Sequence, residues 1–248
     1  MAVYKCAVAT IPGFEDLAAA EVKELIGAKA TAAASGVVTF QVSDLADLCR
    51  LCYLSQSASS VLFLLSQFAV AKTAAASAAN LKKSLRSADF KMWFPREATF
   101  KVDFQPSASA SHDFPSSEIE AEAGAVIIGC VRSSTGFTPK VDLKSPAVTI
   151  AVCASGTSGF CGIMVSPFDL SKREYRIFSH SSDIKGNLAY LLLRAAGYGH
   201  GKFLFDPFTR AGTVAIEAAL YSSGFPVNYY RKDALSSAFS RLLPFAGT

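Results

Sequence analysis

A chain of 248 residues and 26.2 kDa has room for one large domain or two to three small ones. Its hydrophobic fraction of 51% owes much to alanine, and the most apolar run, Val61 to Ala71, is interrupted by Ser66 and Gln67, well short of the roughly 20 residues that span a bilayer. The net charge of +4, with a pI near 8.7, permits an anionic partner without requiring one.

The N-terminal stretch MAVYKCAVATIPGFEDL has no charged segment followed by an apolar run and a small-residue cleavage site, so the expected location is cytoplasmic, with no membrane partner. Cys6, Cys49, Cys52, Cys130, Cys153 and Cys161 lie mostly within apolar runs, as expected of buried reduced thiols. Cys49 and Cys52 lack a second ligand pair, and His112, His180 and His200 offer none at ligand spacing, so no metal site is expected.

In chain order, Tyr4 to Thr10 reads as a strand, Glu15 to Ile26 as a helix with Leu17, Val22 and Leu25 at helical spacing, and Lys29 to Ala33 as a short strand. Val37 to Val42 is a strand, Leu45 to Leu54 a helix and Val61 to Val70 a long strand, giving β-α-β-β-α-β, the order of a ferredoxin-like unit. The next helix carries Asn80, Lys82, Lys83 and Arg86, and Pro95 in KMWFPRE ends the helical pattern. A strand over Ala98 to Phe104, the loop QPSASASHDFP and a helix over Ser117 to Val131 follow, with Ser117 and Glu120 at capping-box spacing. Short strands fit Val148 to Cys153 and Phe160 to Val165. A composition change near residue 170 marks a boundary, after which Ile184 to Ala196 is a helix, Lys202 to Phe205 a strand and Thr213 to Tyr221 a helix. That is the opening half of a βαβ unit of a doubly wound sheet. The fold class is α/β with an α+β front end.

The strand-loop-helix LFDPFTRAGTVAIEAAL places a carboxylate and backbone N–H groups at the carboxyl edge of a sheet, where open α/β sheets bind ligands. DPFTRAGT resembles the D-P-F/M-C-G-S-G-T loop that packs under the methionine part of S-adenosylmethionine in one group of Rossmann-fold methyltransferases, with Arg210 and Ala211 where that group often has glycine and serine. The stretches TFKVDFQ, HDFPSSEIEAEAGAVI, VDLKSPAVTIAV and SKREYRIFSHSSDIKGNLAYLLLRAAGY, in this order, resemble RNA methyltransferases that carry a THUMP domain. The resemblance covers nearly the whole chain. It implies a ferredoxin-like domain at 1–70, a THUMP RNA-binding domain at 71–168 and the incomplete start of a Rossmann-fold methyltransferase domain at 169–248.

The implied activity is transfer of a methyl group from S-adenosyl-L-methionine to structured RNA, most often the exocyclic N2 of guanine in tRNA. The resemblance assigns cofactor binding to Asp206, Pro207, Phe208, Thr209, Gly212 and Thr213, and places His180 against cofactor or RNA. Lys101, Arg132, Lys140, Lys144, Lys172 and Arg173 are the implied phosphate contacts. The family's (N/D)-P-P-(F/Y) motif is missing: Ser166-Pro167-Phe168 precedes the loop, Leu243-Pro244-Phe245 has a leucine that accepts no hydrogen bond, and Asp233, at a tolerable distance for a ribose-binding acid, does not follow an apolar strand. The catalytic residue stays unassigned. The expectation is a fragment, a split subunit completed by a second chain, or an incomplete reading frame, inactive in methyl transfer by itself. A non-catalytic RNA-binding adaptor and a methyltransferase of another substrate are the alternatives.

Overall fold

The structure, a computed structural model, describes residues 3–107, 112–177 and 183–242. They gather into two compact units, one built mainly from residues 1–61 and 165–240, the other mainly from 62–164. The three sequence segments differ from this partition: residues beyond 165 share a unit with the N-terminal sixty.

In the first unit, β1 (Tyr4–Ala9), α1 (Glu15–Ile26), β2 (Ala30–Ala34), β3 (Val37–Val42) and α2 (Ala46–Leu54) keep the expected order. Both β1 and β2 pair antiparallel with β3, in the register Tyr4↔Val42 to Ala9↔Val37 and Ala30↔Phe40 to Ala32↔Val38. The Ser59 N–H, one residue before β4 (Ser60–Ala69), donates to the Ala9 carbonyl at 2.8 Å, so the chain enters β4 alongside β1. α1 buries Ala18 and Val22 and α2 buries Leu48, Leu51 and Cys52, the apolar stripes that their 3.6-residue spacing foretells.

The second unit orders its strands β4-β8-β7-β5-β6, with α3 (Ala74–Ser84), β5 (Thr99–Pro106), α4 (Ser116–Thr135), β6 (Lys140–Val141), β7 (Val148–Ser155) and β8 (Ser158–Met164). β5 runs parallel to β7, as a crossover through α4 requires, and β7 and β8 form an antiparallel hairpin. The expected capping box on α4 does not form. Pro115 holds the N-cap position with no side-chain cap, and the Glu120 carboxylate accepts the Phe104 N–H at 3.1 Å, drawn toward β5 rather than back to the helix start. α3 stops at Ser84 and a 3-10 turn, Leu85–Ser87, follows well before Pro95. The segment between them supplies the core: Phe90, Trp93 and Phe94 are buried, with the Trp93 ring 4.5 Å from that of Phe63 and the Phe94 ring 6.1 Å from that of Phe100.

The segment after 165 contributes α5 (Gly186–Ala195), α6 (Thr213–Ser223) and α7 (Lys232–Leu242) to the first unit. Asp233 lies in the first turn of α7 and not at a strand end. The strand expected at Lys202 to Phe205 is not formed: residues 202–206 pair with no strand among the described residues. Phe203 and Phe205 are accordingly 89% and 75% exposed, since a lone extended segment has no ladder to join. No helix among the described residues is long and apolar enough to cross a membrane.

Candidate cofactor site

The loop from Asp206 to Gly212 closes on itself. One carboxylate oxygen of Asp206 accepts the Phe208 N–H at 3.1 Å and the other accepts the Thr209 hydroxyl at 3.3 Å, an Asx-turn that fixes the entry to α6. Gly212 takes φ 73 at the N-cap of α6, a left-handed conformation that a side chain would strain, and its N–H donates to the Thr209 carbonyl at 2.6 Å. Arg210 has φ 46, uncommon for a residue with a Cβ.

Asp206, Phe208, Thr209 and Thr213 line a cavity of about 180 Å³ at the N-terminus of α6, together with Asp183, Ile184, Arg210, Ala211 and Val214. Pro207 and Gly212 shape the loop without lining it. His180 lies outside the described residues. Asp183 and Ile184, from the segment before α5, were not anticipated as site residues.

Behind this loop, α6 is anchored by a buried polar network. Glu217 is the one charged residue of TVAIEAALYSS, and it faces inward, fully buried. Its carboxylate accepts Arg173 Nε at 2.7 Å, the Tyr175 hydroxyl at 2.6 Å and the Gln56 amide at 2.7 Å. The Arg173 guanidinium also donates to the carbonyls of Leu170 and Gln56. Burial first, then the charge of Glu217 and the bond to it, pushes the Tyr175 phenol far above its ordinary pKa, so it stays a donor. A second carboxylate, Glu21 on α1, accepts the hydroxyls of Ser55 and Ser57 and the N–H groups of Gln56 and Ser57. Gln56 thus stands between the two acids. Each buried charge is saturated with donors, as burial demands.

The network corrects the assignment of Arg173: its side chain is fully buried on Glu217 and is not presented to a phosphate. Lys172 next to it is exposed. In the second unit Arg132, Lys140 and Lys144 are exposed and Lys101, on β5, is half-buried. The structure therefore spreads these cations over several elements. Ser166 is buried, accepting the Val61 N–H at 3.3 Å, and Phe168 lies under the Arg231 guanidinium at 4.4 Å, so Ser166-Pro167-Phe168 is packing. Leu243-Pro244-Phe245 lies outside the described residues. The described residues hold no group of three or more metal-ligating side chains placed to bind an ion.

Three domain models match the chain in series: the RlmL ferredoxin-like domain at residues 5–62, the THUMP domain at 75–157 and the RMKL-like methyltransferase domain at 173–242. The chain carries the domains of the THUMP-containing methyltransferases in that order. It is 26% identical over 161 residues to a tRNA (guanine(6)-N2)-methyltransferase of Methanocaldococcus jannaschii, covering 64% of this chain and 42% of the relative. It is 29% identical over 224 residues to a ribosomal RNA large subunit methyltransferase K/L of Magnetococcus marinus, covering 88% of this chain and 30% of the relative. The crystal structure of TrmN from Thermus thermophilus superposes with a TM-score of 0.60 at 25% identity, covering 97% of this chain and 72% of that one. The chain spans less than half the length of these two curated relatives.

Proposed function

We propose that this chain binds structured RNA through residues 62–164 and holds S-adenosyl-L-methionine at the loop 206–213, for methylation of the RNA. The acceptor we assign is the exocyclic N2 of a guanine in tRNA. The observation that carries the cofactor reading is the cavity at the N-terminus of α6, lined by Asp206 and by Asp183, whose carboxylate pairs with Arg176 at 3.4 Å.

The residues fit the amino-acid end of that cofactor. A carboxylate on the loop suits an ammonium group, and the unpaired N–H groups at the start of α6 suit a carboxylate. The cavity's volume of about 180 Å³ accommodates that end and not the nucleoside. When bound, the cofactor supplies a methyl group on a sulfonium, electrophilic toward an amine. In this reading Asp206 orients the amino end, Gly212 keeps the turn tight enough for the α6 N–H groups to face the cavity, and Thr213 caps its floor.

Calorimetric titration with S-adenosyl-L-methionine tests it. Asp206→Ala should weaken binding by roughly tenfold or more, the loss of one charge-assisted contact. Unchanged affinity in a folded variant overturns the site. RNA binding without cofactor binding by the wild type assigns the chain as an adaptor instead. The match over 88% of the chain to a ribosomal RNA methyltransferase favours ribosomal RNA as the second reading of the substrate, which competition between tRNA and ribosomal RNA for the chain decides.

A further inference from the structure

Helix α6 carries the loop 206–212 at its N-terminus, yet its sequence presents no single apolar stripe that would select one rotation about its axis. Of TVAIEAALYSS only Thr213, Glu217 and Ala218 are buried, while Val214, Ile216 and Leu220 are half-buried and Ala215 and Ala219 exposed. The bonds of Glu217 make the selection instead: it stands one turn after Thr213, on the same buried face, and Thr213 lines the cavity. The other wall refers to the same place. Asp183 and Ile184 line the cavity shortly before α5, and at Gly186, where α5 begins, a Cβ would lie 2.6 Å from both Arg173 Nε and Glu217 Oε1. The starts of α5 and α6 thus rest on one buried ion pair, Arg173 with Glu217.

That pair is held from the N-terminal sixty residues. Gln56 Nε2 donates to the Glu217 carboxylate at 2.7 Å and to the Glu217 carbonyl at 3.1 Å, while the Gln56 carbonyl accepts Arg173 Nη2 at 2.7 Å. Its own N–H donates to Glu21 of α1 at 2.8 Å. Two further contacts join the same partners: Asn228 Nδ2 donates to the Cys52 carbonyl at 2.8 Å, and Arg194 of α5 pairs with Glu24 of α1 at 2.6 Å. We propose that Gln56 is a positioning residue of the cofactor cavity, clasping Glu217 through its amide and Arg173 through its carbonyl, so that affinity for S-adenosyl-L-methionine depends on an N-terminal segment that contributes no residue to the cavity's lining. The inference rests on the reading of 206–213 as the cofactor loop. Gln56 adds a donor to Glu217 without adding a charge, and its loss leaves that carboxylate on Arg173 and Tyr175. It therefore adjusts the network where Arg173 or Glu217, if removed, would strand a buried charge.

The test uses the full chain and calorimetric titration with S-adenosyl-L-methionine. Gln56→Leu should weaken binding by roughly two- to thirtyfold, the range for a residue that acts on a site without touching its ligand. Val38→Ala, which removes buried apolar atoms from β3 and makes no bond to the network, should leave affinity unchanged. Gln56→Glu adds the sign of the contact: protonated, its carboxyl donates to Glu217 as the amide does, and ionised it faces Glu217 as a like charge. Its affinity relative to wild type should therefore recover from pH 8 to pH 6. The wild type gives a readout that needs no variant. Coupling is reciprocal, so saturating cofactor should slow hydrogen exchange at the Gln56 and Ser57 N–H groups, both donors to Glu21, and leave the β7–β8 hairpin of the second unit unchanged. Equal weakening by Gln56→Leu and Val38→Ala, equal weakening of Gln56→Glu at both pH values, or no protection at Gln56 and Ser57 in a chain that binds the cofactor overturns the positioning role and leaves the cofactor site standing. A folded wild type that binds no S-adenosyl-L-methionine removes the cofactor reading, and this inference with it.

Discussion

Asp206 and Glu217 are acids of one short segment, and the structure uses them in opposite ways. Asp206 sits on a loop of largely exposed residues and spends its carboxylate on two local bonds of 3.1 and 3.3 Å. Glu217 is fully buried and takes shorter bonds from three side chains, Gln56, Arg173 and Tyr175. The long, local bonds of Asp206 leave it able to exchange partners for a ligand at modest cost. Glu217 has no such freedom, because releasing any donor strands a buried charge. The loop is the proposed place of contact with the cofactor, and the helix behind it is fixed by a fully buried residue.

The widest separation of the two roles comes from truncating each acid. Glu217→Ala leaves Arg173 buried without its counter-charge and should destabilise the first unit by about 3 to 5 kcal/mol, read as a lower midpoint in urea denaturation. Asp206→Ala should cost about 1 kcal/mol or less on the same measure, since it lies on the surface. Equal costs would erase the distinction. A smaller effect follows from Gly186 at the start of α5, where an added Cβ would lie 2.6 Å from both Arg173 Nε and Glu217 Oε1. Gly186→Ala should therefore destabilise by about 1 to 3 kcal/mol through overpacking, whereas Gly129→Ala, facing open space on α4, should be neutral or stabilising. Thermal unfolding of the two variants side by side checks this.

The comparison also explains which parts of the molecule were legible. Helices α1 and α2 follow the 3.6-residue apolar spacing of the face each buries, and strands β1, β3 and β4 read as short apolar runs because they are buried on both faces, as Cys6, Ala7 and Val8 or Val61 and Leu62 show. The 206–212 loop was legible because its chemistry is local: an acid, a proline and a glycine close a turn whatever surrounds them. Arg173 was misread because a basic cluster such as Lys172, Arg173 and Arg176 does not say which member turns inward; only the position of Glu217 and Gln56 decides that. The strand at Lys202 to Phe205 had the composition but no neighbour to pair with among the described residues. Ser117 and Glu120 had the capping spacing, yet the Phe104 N–H competed for the carboxylate. For Arg173 and Glu120 a distant residue outweighed a local pattern, and for the strand the distant partner was missing among the described residues. The two-residue β6 and the helix α7 lay below what periodicity can detect or were too polar to attract notice.

The smallest effect concerns a third acid, Glu15, which lies between the two extremes. It is half-buried at the start of α1, and its carboxylate accepts the Gly36 N–H at 2.5 Å and the Gly13 N–H at 3.0 and 3.1 Å, pinning the β2–β3 turn to the helix start. Burial pushes its pKa up, but the N–H groups of Gly36, Gly13 and its own backbone outweigh that and hold it below its ordinary value of 4.5. A folded-state value below the unfolded one means that the carboxylate stabilises the fold fully above about pH 4.5. That contribution is lost as pH falls through the folded value. Glu15→Gln should therefore lower the urea midpoint at pH 7, and the gap to the wild type should close on acidification below pH 4.5. A gap for Glu15→Gln that persists unchanged into acid would mean that the amide reproduces the pinning of Gly13 and Gly36, and that geometry rather than charge holds that turn.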